Sequence, residues 1–537
     1  MRRRTREAIA VTGVVACLLT VTACTPEDAE AEQQPTSSAS ASATPSASAE
    51  PDSGDGEGVV LETRVGTRDI EYTVGPLVND GDLAVLPITA VDVTRAPTGD
   101  PVNISVLWGG LHPGAHGVRL LDAENMTVED SATADRALYT TGSLTVGQDD
   151  PLAMHVIFGA RQAATVDVLV PFAGLVADVP VVDLDGLDDA SELGTSVTAA
   201  LEDLVTDPSA VTTHVAPLDT FQVSVDGAVD TRVTPEQVVI NVSADVLFDV
   251  DQATITSGAD AALTSAATQF SGYAGGELTV IGHTDDVGEE AYNQDLSVRR
   301  AQSVADHMGT LVDLSPYTVT VEGRGESELR APGTSDTDRA LNRRVELVFV
   351  PDVPAPPAPV ATDFALPDSE GPTAPGGDGV TLTGQGDAQV HVALSEVRRR
   401  GQLLVGEVRI DHVAGTVSAP GEMFALGGIR SVRGDVAPSQ MYSPVNLTLV
   451  AGDQRFSPVD YLPAGSEVGE PRRPVTEFNM REALPAGGTY VGTVVWPLAA
   501  AGPAADQVTL DLFNPLADAA YRAIRPPFRL TDIPVTS

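Results

Sequence analysis

An acidic and a basic side chain fall around a strand-to-helix turn that the sequence predicts in the middle of the chain. Asp285 follows the apolar run 278–281, which predicts a buried strand, and Arg300 lies in the helical segment that comes next. Ligands of open α/β sheets usually bind at the carboxyl ends of the strands, so both side chains are expected to face one crevice. Such a pair can form an internal salt bridge, or it can hold the ammonium and the carboxylate of a zwitterion. The residues alone leave both interpretations open.

The helix that carries Arg300 is predicted to begin at Ser297, because serine is a preferred helix N-cap. That start places Arg299 and Arg300 in the first helical turn, where a cation opposes the helix dipole. A helix N-terminus combined with arginine is instead a strong anion site. The buried stripe expected for this helix has the spacing of one helical face: Ala301, Val304, Met308 and Leu311.

The surrounding segments predict an α/β layer that positions the pair. Residues 238–246 are strand-like, and Ser257 with Asp260 has the spacing of a capping box in front of a helix. Alternating apolar residues predict two further strands at 317–321 and 345–349. The order is β-α-β-α-β-β, for which right-handed crossovers are expected. The apolar stripe of the first helix consists of Ala259, Leu263, Ala266 and Phe270.

Several short motifs of this segment resemble, in order and spacing, the signature of OmpA-like peptidoglycan-binding domains. The resemblance extends over residues 237–350, from an opening loop through the strand-to-helix turn to a closing segment. The opening loop is Phe248, Asp249, Val250 and Asp251; the turn and helix supply Gly282, His283, Thr284, Asp285, Gly288, Asn293, Leu296, Ser297, Arg300 and Ala301; the closing segment contains Gly323, Arg324, Gly325, Pro332, Arg339, Asn342, Arg343, Arg344, Val345 and Glu346.

The resemblance implies a non-catalytic site for the meso-diaminopimelate of the peptidoglycan stem peptide, with no cofactor and no metal. By position in the motif, Asp285 would bind the ammonium group of the ligand and Arg300 its carboxylate. Val250 stands where the family often has an aromatic residue, so the opening loop departs from the family pattern at this position. The other site residues are those that would line the pocket, Asn293, Leu296, Phe248, Asp249, Val250 and Asp251, and those that would support it, Thr284, Gly288, Asn342 and Arg343, the last two read as mainly structural.

The first 24 residues are organised like a bacterial lipoprotein signal peptide. Four arginines precede the apolar run 9–21, which is shorter than a membrane span and has the size of a signal-peptide core. The run ends at Val21, Thr22, Ala23 and Cys24, which resembles a lipobox, so Cys24 is the predicted lipidation site. Cys17 lies inside the run and is the poorer candidate. We therefore expect an exported protein that is lipid-anchored in the cell membrane and faces the cell wall. The alternatives are cleavage of an ordinary signal peptide without lipidation and an uncleaved N-terminal anchor.

The flanks of the α/β domain predict two related β domains. Short runs rich in Val, Leu, Ile and Thr predict an antiparallel sandwich at 59–183 and a second at 380–537. Residues 165–171 align with 509–515, and 177–181 with 531–535, so two copies of an immunoglobulin-like sandwich are expected. Between the domains lie a disordered Ser/Ala/Thr/Pro stalk at 25–58, a linker with a short helix at 184–236, and a Pro/Gly-rich linker at 351–379.

Composition narrows the remaining functions. The chain has 537 residues and a formal net charge of −45, which disfavours nucleic acid as a partner. An acidic run at 183–189 contains four Asp residues and one Gly, but it lacks the loop of an EF-hand and is interpreted as a solvated linker rather than a calcium site. The histidines have no metal-ligand spacing, which disfavours a wall-remodelling enzyme. Membership of a secretion, motor or adhesion complex stays open, as do the partners of the β domains.

Overall fold

A computed structural model describes residues 58–95, 102–104, 115, 117–142, 144–148, 151–171, 173–188, 191–331, 333–353, 366–384, 387–417, 444–463, 472–478, 483–501, 505–512 and 527–537. The signal peptide, Cys24, Pro332 and all of the stalk except Gly58 lie outside the described residues. Within the described part of the chain, no helix is both long enough and apolar enough to span a bilayer.

The first β region is a two-layer structure built around one core. One sheet pairs β1, β2, β4 and β9, with β3 also on β4; the second pairs β11, β10, β6 and β7. Alternating burial along β2 places Ile70, Tyr72 and Val74 in the core between the sheets. The strands are β1 (Val59–Val65), β2 (Arg68–Val74), β3 (Leu77–Asp80), β4 (Leu83–Asp92), β5 (Val102–Asn103), β6 (Arg119–Asp122), β7 (Thr127–Glu129), β8 (Thr145–Val146), β9 (Leu152–Gly159), β10 (Thr165–Val170) and β11 (Gly174–Asp183).

The segment expected to be a linker, 184–236, contains one helix and two strands. The helix α1 (Glu192–Leu204) matches the predicted short helix; Ser191 caps it by accepting a hydrogen bond from the Gly194 N–H at 3.0 Å. Its apolar face packs on the outside of the first β region. The strands β12 (Val215–Ser224) and β13 (Val229–Val233) extend the sheet of the next domain. Single-turn 3-10 helices at Leu184–Gly186 and Pro208–Ala210 complete the segment.

The middle domain has the predicted β-α-β-α-β-β order with two short helices added. Its sheet has the strand order β16-β15-β17-β14-β13-β12, with β15 and β16 parallel and the other neighbours antiparallel. The elements are β14 (Val238–Ser243), α2 (Ala244–Leu247), α3 (Ala259–Thr268), β15 (Gly276–His283), α4 (Glu290–Leu311), β16 (Tyr317–Gly325), α5 (Asp336–Asn342) and β17 (Arg344–Pro351).

The predicted apolar stripes of α3 and α4 face the sheet, and all but Leu311 are fully buried. An aromatic cluster closes one end of this core, with the Phe349 ring 5.5 Å from the Phe270 ring and 5.1 Å from the Tyr273 ring. The helix α4 lies very close to the sheet, because a Cβ at Gly282 would fall 2.1 Å from the Ser297 carbonyl oxygen.

The predicted start of α4 is wrong. The helix begins at Glu290, so Ser297 lies two turns inside it and Arg299 and Arg300 are not in the first turn. The Ser297 hydroxyl donates to the Gln294 carbonyl at 2.8 Å and accepts from the Gly325 N–H at 3.0 Å. Ser297 therefore makes a buried hydrogen bond to the neighbouring strand and does not cap the helix. Since Arg300 is not in the first turn, the helix dipole does not create an anion site there. Similarly, α3 begins at Ala259 with Gly258 as its N-cap, and Ser257 makes no cap.

The second β region repeats the strand pairings of the first. In both, a two-strand ladder shifts register at one point: between Val166 and Val168 in β10–β11, and between Val508 and Leu510 in β28–β29. Its elements are β18 (Thr373–Pro375), β19 (Val380–Thr383), β20 (Gln389–Ala393), β21 (Val397–Arg400), β22 (Leu403–Ala414), β23 (Leu447–Ala451), β24 (Gln454–Phe456), β25 (Asp460–Tyr461), β26 (Arg473–Pro474), β27 (Thr489–Pro497), β28 (Gln507–Leu512), β29 (Phe528–Thr536) and a 3-10 turn at Leu498–Ala500.

Two aspartates with left-handed backbones mark equivalent places in this repeat, Asp178 with φ 57° and Asp532 with φ 53°. Thr165 faces Pro180 in one ladder and Gln507 faces Pro534 in the other. The alignment of 177–181 with 531–535 therefore agrees with the pairing, whereas 165 corresponds to 507 and not to 509. A two-residue slip keeps every side chain on its face of the sheet, which is why the sequence pattern did not reveal it. Residues 513–515 of that alignment lie outside the described residues.

One strand, β12, joins the three parts. Residues 215–217 pair with β7 of the first β region, residues 222–224 pair with β24 of the second, and residues 220–223 pair with β13 of the middle domain. The strands β7 and β24 occupy equivalent places in the repeat, since β7 pairs with β6 as β24 pairs with β23. An apolar cluster that includes Leu121, Leu218, Leu403 and Tyr461 packs the two β regions together beside this strand.

Candidate functional site

Asp285 lies directly after β15, where the chain leaves the sheet. Its Oδ2 accepts a hydrogen bond from the Arg343 Nη1 at 2.8 Å, and its Oδ1 accepts from the Val287 N–H at 3.2 Å. The side chain is 15% exposed. The carboxylate is thus held in place at the rim of the domain by one cation and one backbone amide.

Arg300 is a buried cation on the inner face of α4 and is only 5% exposed. Its guanidinium carbon lies 5.1 Å from the centre of the Phe248 ring, and its Nε donates to the Gln252 carbonyl at 2.9 Å. In the described part of the chain, no carboxylate lies within ion-pair distance of Arg300 and no group accepts from its Nη atoms. Burial lowers the pKa of Arg300, while the charges of Asp245, Asp251 and Asp285 act to raise it.

Asp285 and Arg300 therefore share an electrostatic neighbourhood, but they are not paired with each other. The cation that pairs with Asp285 is Arg343, whose Nε and Nη2 also donate to the Asp245 carboxylate at 2.8 and 2.6 Å. The hydrogen bonds to Asp245, and next those to Asp285, raise the pKa of Arg343 above its ordinary value. Arg343 is thus a fixed bridge between two carboxylates and not merely a distant support. Its partner Asp245 was not anticipated from the sequence.

The turn between β15 and α4 is tied down by Asn293, which is 3% exposed. Its amide donates to the Glu326 carboxylate at 2.7 Å and to the Val287 carbonyl at 3.1 Å. Thr284 is buried, and its N–H donates to the Gly325 carbonyl at 2.9 Å. Gly288 has a backbone φ of 113°, a conformation that residues other than glycine rarely adopt. These residues position Asp285 through the backbone.

The opening loop presents three exposed residues around a buried ring. Phe248 is 4% exposed and forms the floor under Arg300, whereas Val250 is 88% exposed. Asp249 and Asp251 are also exposed, and Asp251 adopts a left-handed φ of 59°. Val250 makes no contribution to the core of the domain. Leu296, expected in the pocket, is 4% exposed.

His283 is a buried neutral histidine at the end of β15. It is 1% exposed, and neither ring nitrogen has a hydrogen-bond partner among the described residues. Burial, followed by the charges of Arg344 and Arg324, lowers its pKa to about 3. Glu346 lies 3.6 Å from its Nε2, but that carboxylate is already paired with Arg344 at 3.1 Å. The imidazole stays uncharged at neutral pH and supports the strand end that leads to Asp285.

Asn342 is a fully buried clamp. Its amide accepts from the Ala331 N–H and donates to the Ala331 carbonyl, both at 2.8 Å. A further ion pair at the rim joins the Arg339 Nε to the Asp286 carboxylate at 2.7 Å. Neither contact was predicted, because the partners lie 11 and 53 residues apart. Over the part of the chain that the structure describes, no three His, Cys, Asp or Glu side chains are arranged to hold a metal ion.

Residues 247–343 match the model of the OmpA family, so the middle of the chain is an OmpA-family domain. Outer membrane porin F of Pseudomonas aeruginosa is 39% identical over 108 residues, which make up 20% of this chain and 31% of the relative. Outer membrane protein A of Escherichia fergusonii is 37% identical over 107 residues, or 20% of this chain and 42% of the relative. The chain therefore spans less than half the length of these relatives.

Two solved structures are each similar to a part of the chain. The cell wall anchor of the T6SS from Pseudomonas aeruginosa is 29% identical and covers 23% of this chain and 89% of its own, with a TM-score of 0.20. The peptidoglycan-associated lipoprotein from Burkholderia pseudomallei is 26% identical and covers 19% of this chain and 87% of its own, with a TM-score of 0.17.

Proposed function

We propose that this chain is a non-catalytic envelope lipoprotein that tethers a membrane to peptidoglycan through its OmpA-family domain. The ligand is the meso-diaminopimelate of the stem peptide, whose carboxylate binds Arg300 and whose ammonium binds Asp285. The observation that carries the proposal is a buried guanidinium whose Nη atoms have no acceptor among the described residues. A buried cation without an anion is costly, so a ligand carboxylate is its natural partner.

The ammonium group of the ligand would bind Asp285, whose charge is only partly balanced by Arg343. Asp285 already accepts from Arg343, but Arg343 divides its hydrogen bonds between Asp285 and Asp245. Together with the exposed Asp251, three carboxylates therefore face two guanidiniums. Because of this surplus of one negative charge, a ligand that brings an ammonium group along with its carboxylate is favoured over one that brings a carboxylate alone.

Two neighbouring arginines on α4 give a matched test of this site. Arg300 is buried, whereas the side chain of Arg299 is 46% exposed and pairs with Asp295 at 2.8 Å on the outer face. In co-sedimentation with purified sacculi, the full-length protein and Arg299→Ala should be retained equally, and Arg300→Ala should stay in the supernatant. Equal retention of the two variants would remove Arg300 from the site, and failure of the unmodified protein to sediment would refute wall binding.

The non-catalytic part of the proposal has its own readout. The protein should leave no cleared band in a zymogram on peptidoglycan, since binding by charge pairing cuts no bond. A cleared band that persists in Arg300→Ala would identify an enzyme acting elsewhere on the chain.

The membrane end of the tether is a lipid on Cys24. The support is the sequence alone, a small residue before a cysteine at the end of a short apolar run. Incorporation of labelled palmitate should be lost in Cys24→Ser and kept in Cys17→Ser. Loss of label only in the Cys17 variant would move the anchor.

The two β regions are proposed to be immunoglobulin-like sandwiches that act as a spacer or as interaction modules. Their repeated strand pairings and separate apolar cores support that interpretation. Since β12 pairs with all three parts, the wall-binding domain would be held against the β regions as one body. Hydrogen exchange should find β12 among the most protected strands; rapid exchange there would argue for independent domains.

A further inference from the structure

We propose, on the basis of the function proposed above, that the site selects stem peptides whose diaminopimelate carboxyl group is free over those in which it is amidated. Conversion of a carboxylate to a carboxamide removes one negative charge and replaces an acceptor oxygen by an NH2 donor. A site that holds this group with donors alone must respond to the change. Amidation of the wall would then control where the protein attaches.

The contacts of Arg300 leave its two Nη atoms as the donors available to a ligand. The guanidinium carbon lies over the Phe248 ring, 5.1 Å from the ring centre, and the Gln252 carbonyl accepts a hydrogen bond from the Nε at 2.9 Å. The four N–H groups of the two Nη atoms have no acceptor among the described residues. A ligand therefore meets the outer edge of the guanidinium in its plane, where a carboxylate can accept two parallel hydrogen bonds.

A carboxamide fits this edge poorly. Its oxygen can accept one hydrogen bond, but its NH2 group then faces an Nη donor with no acceptor between them. Sites built to hydrogen-bond a particular group discriminate strongly against an analogue that lacks it, because their buried polar atoms are left unpaired. The mismatch falls on a cation that is 5% exposed, where water compensates least.

The other charges of the site act on Arg300 from a distance and do not replace a contact with its Nη atoms. Asp245 and Asp285 are held by Arg343 at 2.6 to 2.8 Å, so neither is placed to neutralise Arg300 when the ligand is neutral at that end. Asp251 is exposed to solvent, where its charge is screened. Among the described residues no carboxylate contacts Arg300, so a ligand carboxylate can take that place.

Three disaccharide-tripeptides test the inference with the full-length protein. The first is unmodified, and the second is amidated at the diaminopimelate carboxyl group that shares its carbon with the free amino group. The third, a control, is amidated at the D-glutamate carboxyl group. Titration calorimetry should give a Kd at least about tenfold higher for the first amide, since a lost charge-assisted bidentate pair is worth 1.4 kcal/mol or more. The D-glutamate amide should bind like the unmodified peptide. In Arg300→Gln the first two peptides should bind with equal, weak affinity.

The outcomes separate the two proposals. Equal affinity of the unmodified protein for the free and the amidated diaminopimelate peptides would overturn the selectivity and leave wall binding intact. Absence of binding to all three peptides would refute the proposed function itself. Preference for the free carboxyl that persists in Arg300→Gln would assign the selectivity to another residue.

Discussion

Arg343 bridges Asp285 and Asp245, donating to the first at 2.8 Å from Nη1 and to the second at 2.6 Å from Nη2. This bridge separates the roles of the two arginines of the site. Arg343 pairs with both carboxylates and positions Asp285, while the Nη atoms of Arg300, which is buried against Phe248, have no acceptor among the described residues. The salt bridge that the sequence left open as an alternative exists, but it uses the arginine from the closing motif.

Asp285→Asn should weaken sacculus binding about tenfold with little change in fold. Asparagine removes the charge that attracts the ligand ammonium, and it offers a single acceptor oxygen where the Val287 N–H and Arg343 now use two. Co-sedimentation at a series of wall concentrations measures the effect. Asp295→Asn, whose side chain is 67% exposed, is the control; comparable losses in both variants would point to overall charge and not to the site.

Gly282→Ala should destabilise the protein strongly, because the added Cβ would lie 2.1 Å from the Ser297 carbonyl oxygen and force α4 away from the sheet. Gly309 lies on α4, and a Cβ added there would have its nearest neighbouring atom 3.8 Å away. Gly309→Ala should therefore stabilise the protein by about 0.5 kcal/mol. Thermal unfolding of the two variants measures the contrast. A tolerated alanine at 282 would mean that the close packing of α4 on the sheet is not required.

Asn342→Leu should lower the free energy of unfolding by roughly 2–3 kcal/mol, since it strands the buried N–H and carbonyl of Ala331. Denaturant unfolding gives the value. Gln302→Leu, which loses only an exposed bond to Asp306, should change it by less than about 0.5 kcal/mol. Similar effects in both would contradict the role of Asn342 as a clamp.

His283 should make the protein less stable in acid. Its pKa in the folded state is about 3, below the ordinary value of 6.5, so the unfolded chain binds a proton that the folded chain does not. This contribution is fully present above pH 6.5 and is lost as the pH falls towards 3. Unfolding midpoints between pH 7.5 and 4.5 should fall less steeply in His283→Gln than in the unmodified protein. Parallel slopes would mean that the imidazole is accessible to protons in the native state.

The sequence predicted the middle domain where local patterns and packing agree. The apolar stripe of α3 and the alternating strand at Val345, Leu347 and Phe349 are buried as expected. The start of α4 was misplaced because Ser297 bonds to a neighbouring strand, a partner that no local rule reveals. The Arg343–Asp285 pair was missed for the same reason, as its members lie 58 residues apart.

The segment 184–236 was predicted to be a linker with one short helix, and its two strands were missed. The strand β12 forms because other strands pair with it, and such partners cannot be inferred from its own sequence. It pairs with β13, which follows it directly, and with β7, β24 and β25, which lie far away in the chain, and each pairing covers only a few residues. Alternation within a strand indicates that it is half-buried, but not which edge it joins. The repeat of the β regions was visible in the sequence, although the slip of two residues in β28 was not.

In the proposed site, Arg300 binds a carboxylate and Asp285 an ammonium on one amino-acid centre of the wall. The most direct test is calorimetric titration of the full-length protein with two stem tripeptides that differ only at the third residue, one carrying meso-diaminopimelate and one L-lysine, whose side chain ends in an ammonium without a carboxylate. The diaminopimelate peptide should bind and the lysine peptide should bind at least about tenfold more weakly. Equal affinity for the two peptides would show that Arg300 does not bind the diaminopimelate carboxylate.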